Sequence, residues 1–109
     1  MTSRLLTPHW KYRSGEADIT VMKLIISGVE DGKQVTYTYS MYDEYDAVTD
    51  TLSMARTTGY TCNAVVQLVL EGAYSQKGIC APEFVGQVDG CWERVSQYLN
   101  ERGVICTRK

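Results

Sequence analysis

The sequence predicts an α+β fold: a small, mainly antiparallel sheet based on a β-hairpin, with helices packed on one face. Three observations carry that expectation. Gln34 to Tyr42 alternates strictly, with Val35, Tyr37, Tyr39 and Met41 on one side and Thr36, Thr38 and Ser40 on the other. Asp18 to Ser27, rich in Ile, Val, Leu and Met, precedes it across Glu30-Asp31-Gly32-Lys33. Finally, Ala47 to Ala73 contains no proline and places Ala64, Val65, Leu68 and Val69 at helical spacing.

Taken in order, Thr2 to Ala17 reads as an irregular lead-in with a turn at Ser14-Gly15. Asp31-Gly32 suits a two-residue hairpin turn, where both central positions need positive φ. That turn sets Met22 against Met41, Leu24 against Tyr39 and Ile26 against Tyr37, apolar facing apolar. A one-residue slip would destroy the match. The other face carries Ile19, Val21 and Ile25 opposite polar or mixed residues. Either the lead-in covers this face or another domain or subunit does.

An acidic loop (Asp43, Glu44, Asp46) leads into the helical stretch, where Val66 and Leu70 widen the apolar stripe. Gly59 interrupts it, predicting two helices or one kinked there, and Gly72 is the expected stop. Gly78 to Cys80 is expected to form a short strand, and Pro82 to open a turn. A final helix is predicted from about Gly90 to Arg102, with Asp89 as N-cap and Gly103 as stop. Its buried stripe would be Cys91 or Trp92, Val95, and Tyr98 or Leu99. Val104 to Thr107 is expected to close the fold as a strand.

At 109 residues the chain fits one domain, 1–109, and its 44% hydrophobic and 22% charged residues fit a globular protein. A formal net charge of -2 with no Lys/Arg cluster argues against nucleic acid or an anionic membrane as partner. Ala64 to Leu70, broken by Gln67, is far shorter than the ~20 residues of a membrane span. Met1 to Pro8 lacks the apolar core of a secretory signal. Cys62, Cys80, Cys91 and Cys106 are too widely spaced for a structural zinc site or a redox C-x-x-C, and His9 is the only histidine. They read as reduced, mostly buried thiols of a cytoplasmic protein, although an even count leaves a disulfide open.

Ser53-Met54-Ala55-Arg56-Thr57-Thr58-Gly59-Tyr60 is the most suggestive polar stretch. Arg56 can grip a carboxylate or phosphate, Thr57 and Thr58 add hydroxyls, and Gly59 permits close approach ahead of a hydrophobic helix. The competing expectation pairs Arg56 with Asp43, Glu44 or Asp46. The same three acids could be acid-base carboxylates or a metal site, but a solvated loop explains them with fewer assumptions. Neither G-x-G-x-x-G, Walker A nor G-x-S-x-G occurs.

That stretch, followed by Leu70-Glu71-Gly72, Lys77-Gly78-Ile79-Cys80-Ala81-Pro82-Glu83 and Tyr98-Leu99-Asn100-Glu101-Arg102-Gly103-Val104, resembles the C-terminal end of saccharopine dehydrogenase-like oxidoreductases. Gly15-Glu16-Ala17-Asp18 is similar too, so the resemblance runs from about Leu5 to Ile105 in matching order. Thr61 stands where the family often has Pro. The resemblance implies the substrate-binding and dimerisation part of a longer enzyme that acts on C–N bonds of amino acids in lysine metabolism. NAD or NADP would sit on an N-terminal Rossmann domain absent from this chain. It further implies a homodimer, an amino-acid substrate near Arg56, Thr57, Thr58 and Gly59, and no catalytic or cofactor-binding residue in this chain. The alternatives are a free-standing small-molecule-binding module and an oligomerisation module.

Overall fold

A computed structural model describes residues 4, 7, 8, 11–13 and 15–109. Most of the expected lead-in, with His9 and Trp10, lies outside the described residues. Around the expected turn, the Glu16 N–H donates to the Arg13 carbonyl at 3.1 Å and Gly15 has φ +83°.

The hairpin forms as β1 (Ile19–Glu30) and β2 (Lys33–Glu44), in the register the turn dictates. Asp31 (φ 51°) and Gly32 (φ 74°) supply the two positive φ angles, so the local twist of the turn matches the strands. A third strand, β3 (Cys106–Arg108), pairs antiparallel with β2, giving the order β1-β2-β3. It starts later than the expected Val104, which is instead buried at the base of the strand.

Residues 53–70 form one helix, α1 (Ser53–Leu70), with Gly59 inside it. Of the two expected outcomes, two separate helices do not occur. Glycine costs a helix interior about 1 kcal/mol, too little to divide a segment whose inner face is anchored by Arg56, Ala64 and Leu68. Its end follows expectation: Gly72 takes φ +74°, the Ala73 N–H returns to the Leu68 carbonyl at 2.9 Å, and the Gly72 N–H returns to Val69 at 3.1 Å.

After Pro82 comes a single turn, α2 (Glu83–Gly86). Residues 78–80 are not a strand, because Gly78 sits at φ +94°, outside strand geometry. The last helix is α3 (Cys91–Asn100). Asp89 does not cap it: Gly90, at φ +79°, occupies that position, and the Arg94 N–H bonds its carbonyl at 3.2 Å. Cys91 and Val95 face inward and Trp92 stays half exposed. Gly103, at φ +79°, turns the chain towards β3.

The core, Ala64, Leu68, Tyr74, Val85, Cys91 and Val95, lies within the helical layer. That layer covers one sheet face, as expected, but only part of it. Ser53 meets Thr20 and Asp43 at the open end of the hairpin, and Trp92 meets Tyr39 edge-on at 6.3 Å between ring centres. Beyond Tyr39 the hairpin projects, leaving Leu24 49% and Ile26 55% exposed on the covered side. The radius of gyration is 17.1 Å, against about 13 Å for a compact chain of this length.

Candidate functional site

The polar stretch identified in the sequence lies where α1 begins against the sheet. Asp18, one residue before β1, caps the helix across the fold: its Oδ1 accepts the Ser53 N–H at 2.6 Å and its Oδ2 the Met54 N–H at 2.9 Å. A carboxylate there satisfies free helix donors and complements the positive helix end. Ser53, fully buried, donates its hydroxyl to Asp43 Oδ2 at 2.7 Å and pairs with Thr20 Oγ1 at 2.8 Å.

One turn on, the Arg56 guanidinium lies against Asp43 through Nε (3.2 and 3.3 Å) and Nη2 (3.2 Å). Nη1 reaches Asp46 Oδ2 at 3.1 Å, and Nη2 also donates to the Arg102 carbonyl at 3.0 Å. Asp43 raises the affinity of Arg56 for its proton, so the cation is permanent. The Asp46 carboxyl is held below its ordinary pKa by the Thr49 hydroxyl first, then by the Val48 amide. Glu44 stays outside the cluster, exposed and bonded by the Tyr42 hydroxyl at 3.1 Å. Of the three acids, therefore, Asp43 and Asp46 pair with Arg56. Among the described residues no group of Cys, His, Asp and Glu converges on a metal-sized site.

Thr57 and Thr58 turn their hydroxyls back onto the helix, to the carbonyls of Ser53 and Met54. Thr61 does the same to Thr57, so it lies inside the helix rather than at its start. A Cβ on Gly59 would meet nothing within 4 Å. The structure thus places Arg56 in a largely buried ion cluster and Thr57, Thr58 and Gly59 along the next turn.

Beside the cluster opens a cleft of about 610 Å³, walled by Tyr42, Glu44, Tyr45, Asp46, Arg56 and Arg102. The Arg102 guanidinium stacks 3.4 Å above the Tyr98 ring centre and donates to the Tyr98 carbonyl at 2.9 Å. Sequence reasoning missed Asp18 and Arg102, since Asp18 caps a helix 35 residues on and the Arg102 carbonyl meets Arg56 across 46 residues, separations that no local spacing records. A second, apolar groove of about 340 Å³ runs between Leu24, Ile26, Tyr39 and Trp92. The thiols differ from expectation: Cys91 alone is buried, Cys80 and Cys106 are half-buried, and Cys62 is exposed; all four are free. No helix among the described residues is long and apolar enough to cross a membrane.

Fold and site together define an α+β domain with an open, projecting sheet and an ion-locked helix start. The chain belongs to the saccharopine dehydrogenase C-terminal domain family, whose model matches residues 1–104. No solved structure matches it.

Proposed function

We propose that this chain is the terminal part of the substrate-binding and subunit-contact domain of an NAD(P)-dependent oxidoreductase acting on C–N bonds of amino acids in lysine metabolism. The observation that carries this reading is the projecting hairpin. It carries apolar side chains on both faces: Ile26 (55% exposed) extends past the helical layer, and Val21 (69%) and Ile25 (62%) lie on the face that layer does not cover. Such a surface is suited to burial against further polypeptide, either the missing nucleotide-binding domain or a second subunit. A cytoplasmic location goes with this reading.

Within the assembled enzyme, the Arg56, Thr57, Thr58 and Gly59 segment forms one wall of the amino-acid site. Two features support this. The bonds made by Arg56 use four of its five N–H donors and leave one on Nη1, beside the open cleft. An added Cβ on Gly59 would stand in open space, so the helix surface there is free to receive a group from outside the chain.

Hydride transfer belongs to the missing nucleotide-binding domain, because no Gly-rich βαβ unit is present to hold a pyrophosphate. Calorimetric titration of the chain with NADH and NADPH is expected to give no micromolar binding, and a longer polypeptide carrying a Rossmann domain is expected to bind. Micromolar affinity of the chain alone would overturn the reading.

A further inference from the structure

Backbone parity says which groups β1 offers at its outer edge. The Asp18 carbonyl accepts the Tyr45 N–H at 2.9 Å in the register of the ladder. Antiparallel pairs alternate between bonded and non-bonded, so even-numbered residues of β1 bond to β2. The complement holds on β2, where Thr38 exchanges both of its bonds, each 2.9 Å, with Lys109 on the far side. Odd-numbered Val21, Lys23, Ile25, Ser27 and Val29 therefore direct N–H and C=O away from the sheet. β1 is the outer strand, twelve residues long, without proline and with Lys23 and Glu30 as its only charges. Natural edges are ordinarily blunted by proline, bulges or charge; this one is long and regular.

We propose that the β1 edge pairs antiparallel with β1 of a second copy, about a twofold axis at Ile25, to make one continuous six-stranded sheet. This deepens, and rests on, the subunit-contact part of the proposed function. In this register Ile25 faces the partner's Ile25, Val21 faces the partner's Val29, and Lys23 faces the partner's Ser27. All three are outward-bonding positions, so each pair closes two hydrogen bonds. Registers shifted by one residue oppose outward groups to inward ones and cannot bond. The nearest shifts that keep parity set Lys23 against Ile25 or Val29, where an ammonium meets an apolar side chain. The Ile25-centred register sets apolar against apolar and polar against polar at every outward-bonding position from Val21 to Val29. It also continues both apolar faces across the join, Val21, Ile25 and Val29 on one and Leu24 and Ile26 on the other.

The test uses the 109-residue chain, with light scattering for its mass and amide hydrogen exchange by NMR at low and high concentration. A dimer is expected, with the amides of Val21, Lys23, Ile25, Ser27 and Val29 gaining protection on association. The even-numbered amides of β1 should be protected at both concentrations. Ser27→Glu, facing the partner's Lys23 twice, is expected to tighten the dimer severalfold, and Ser27→Lys to weaken it severalfold. Both changes lose the Ser27–Thr36 hydroxyl pair (3.0 Å) alike and keep the backbone bonds of the β1–β2 ladder, so the two variants are compared with each other for the effect of charge. A monomer at high micromolar concentration would overturn both the pairing and the self-association behind it. A dimer whose odd-numbered amides stay unprotected, and which ignores the charge at Ser27, would overturn edge pairing while leaving subunit contact through a sheet face. Protection of those amides in a monomeric longer polypeptide would give the edge to the chain's own missing strands and also overturn the proposal.

Discussion

Arg56 lies along both oxygens of Asp43 with contacts of 3.2–3.3 Å, and the two side chains keep 10% and 3% of their surface exposed. This pair joins the end of β2 to the first turn of α1. Through the Arg102 carbonyl it also holds the turn between α3 and β3. The three parts of the chain that build the fold thus meet on one guanidinium.

Breaking the pair from either side should be costly, because the remaining charge stays buried without its counterion. Asp43→Asn is expected to lower unfolding free energy by about 3–5 kcal/mol. Arg56→Lys should approach that loss, since an ammonium cannot bridge Asp43, Asp46 and the Arg102 carbonyl in one plane. Urea denaturation followed by circular dichroism measures both. A loss under ~1 kcal/mol would mean that water replaces the partner.

Asp18 gives a second expectation. Its carboxylate binds two N–H groups of α1 from outside the helix, so Asp18→Ala should destabilise by about 0.5–2 kcal/mol. Asp18→Asn should recover part of the loss, because one amide oxygen can still accept. Equal damage from both substitutions would place the effect in the charge rather than the cap.

Acid should weaken the fold through Asp46. Its folded pKa is depressed by the Thr49 hydroxyl, the Val48 amide and, less, Arg56. A depressed carboxyl favours folding when ionised. Its contribution is complete above the ordinary value near 3.8 and is lost as pH falls through the lower folded value. Melting temperature should therefore drop between roughly pH 5 and pH 2, and Asp46→Asn should drop less over that range. Parallel pH profiles for the two proteins would remove Asp46 from the acid response.

Local chemistry made the hairpin legible: Asp31-Gly32 fixed the turn, and the alternation through Val35, Tyr37, Tyr39 and Met41 fixed the register. The ion cluster was legible as an alternative, because three acids, Asp43, Glu44 and Asp46, precede Arg56 at short range. Asp18 as a cap was not legible, since it sits 35 residues before Ser53 and only tertiary folding joins them. At Gly59, where two helices or one kinked there were expected, the segment is one helix, and the short strand expected over Gly78 to Cys80 does not form. Glycine permits both helix interruption and helix continuation, and the neighbours decide which. At Gly59 the flanking turns are anchored, whereas Gly78 takes a positive φ that no strand accommodates.

Gly59 itself separates stability from function. It lies in the middle of α1 at a φ that is not positive, and an added Cβ would meet nothing within 4 Å. Gly59→Ala should therefore stabilise the chain by about 0.5–1 kcal/mol, by removing the entropy that glycine loses on entering a helix. In the complete enzyme the same methyl would stand where the proposed amino-acid site approaches α1. The KM for the amino acid should then rise severalfold, while the KM for the nicotinamide cofactor stays unchanged. Thermal melts of the chain and steady-state kinetics of the longer enzyme give the two readings independently. A variant that is both more stable and fully active would leave Gly59 without a role at the substrate site, and with it the case for this wall of the pocket would fall back on Arg56 alone.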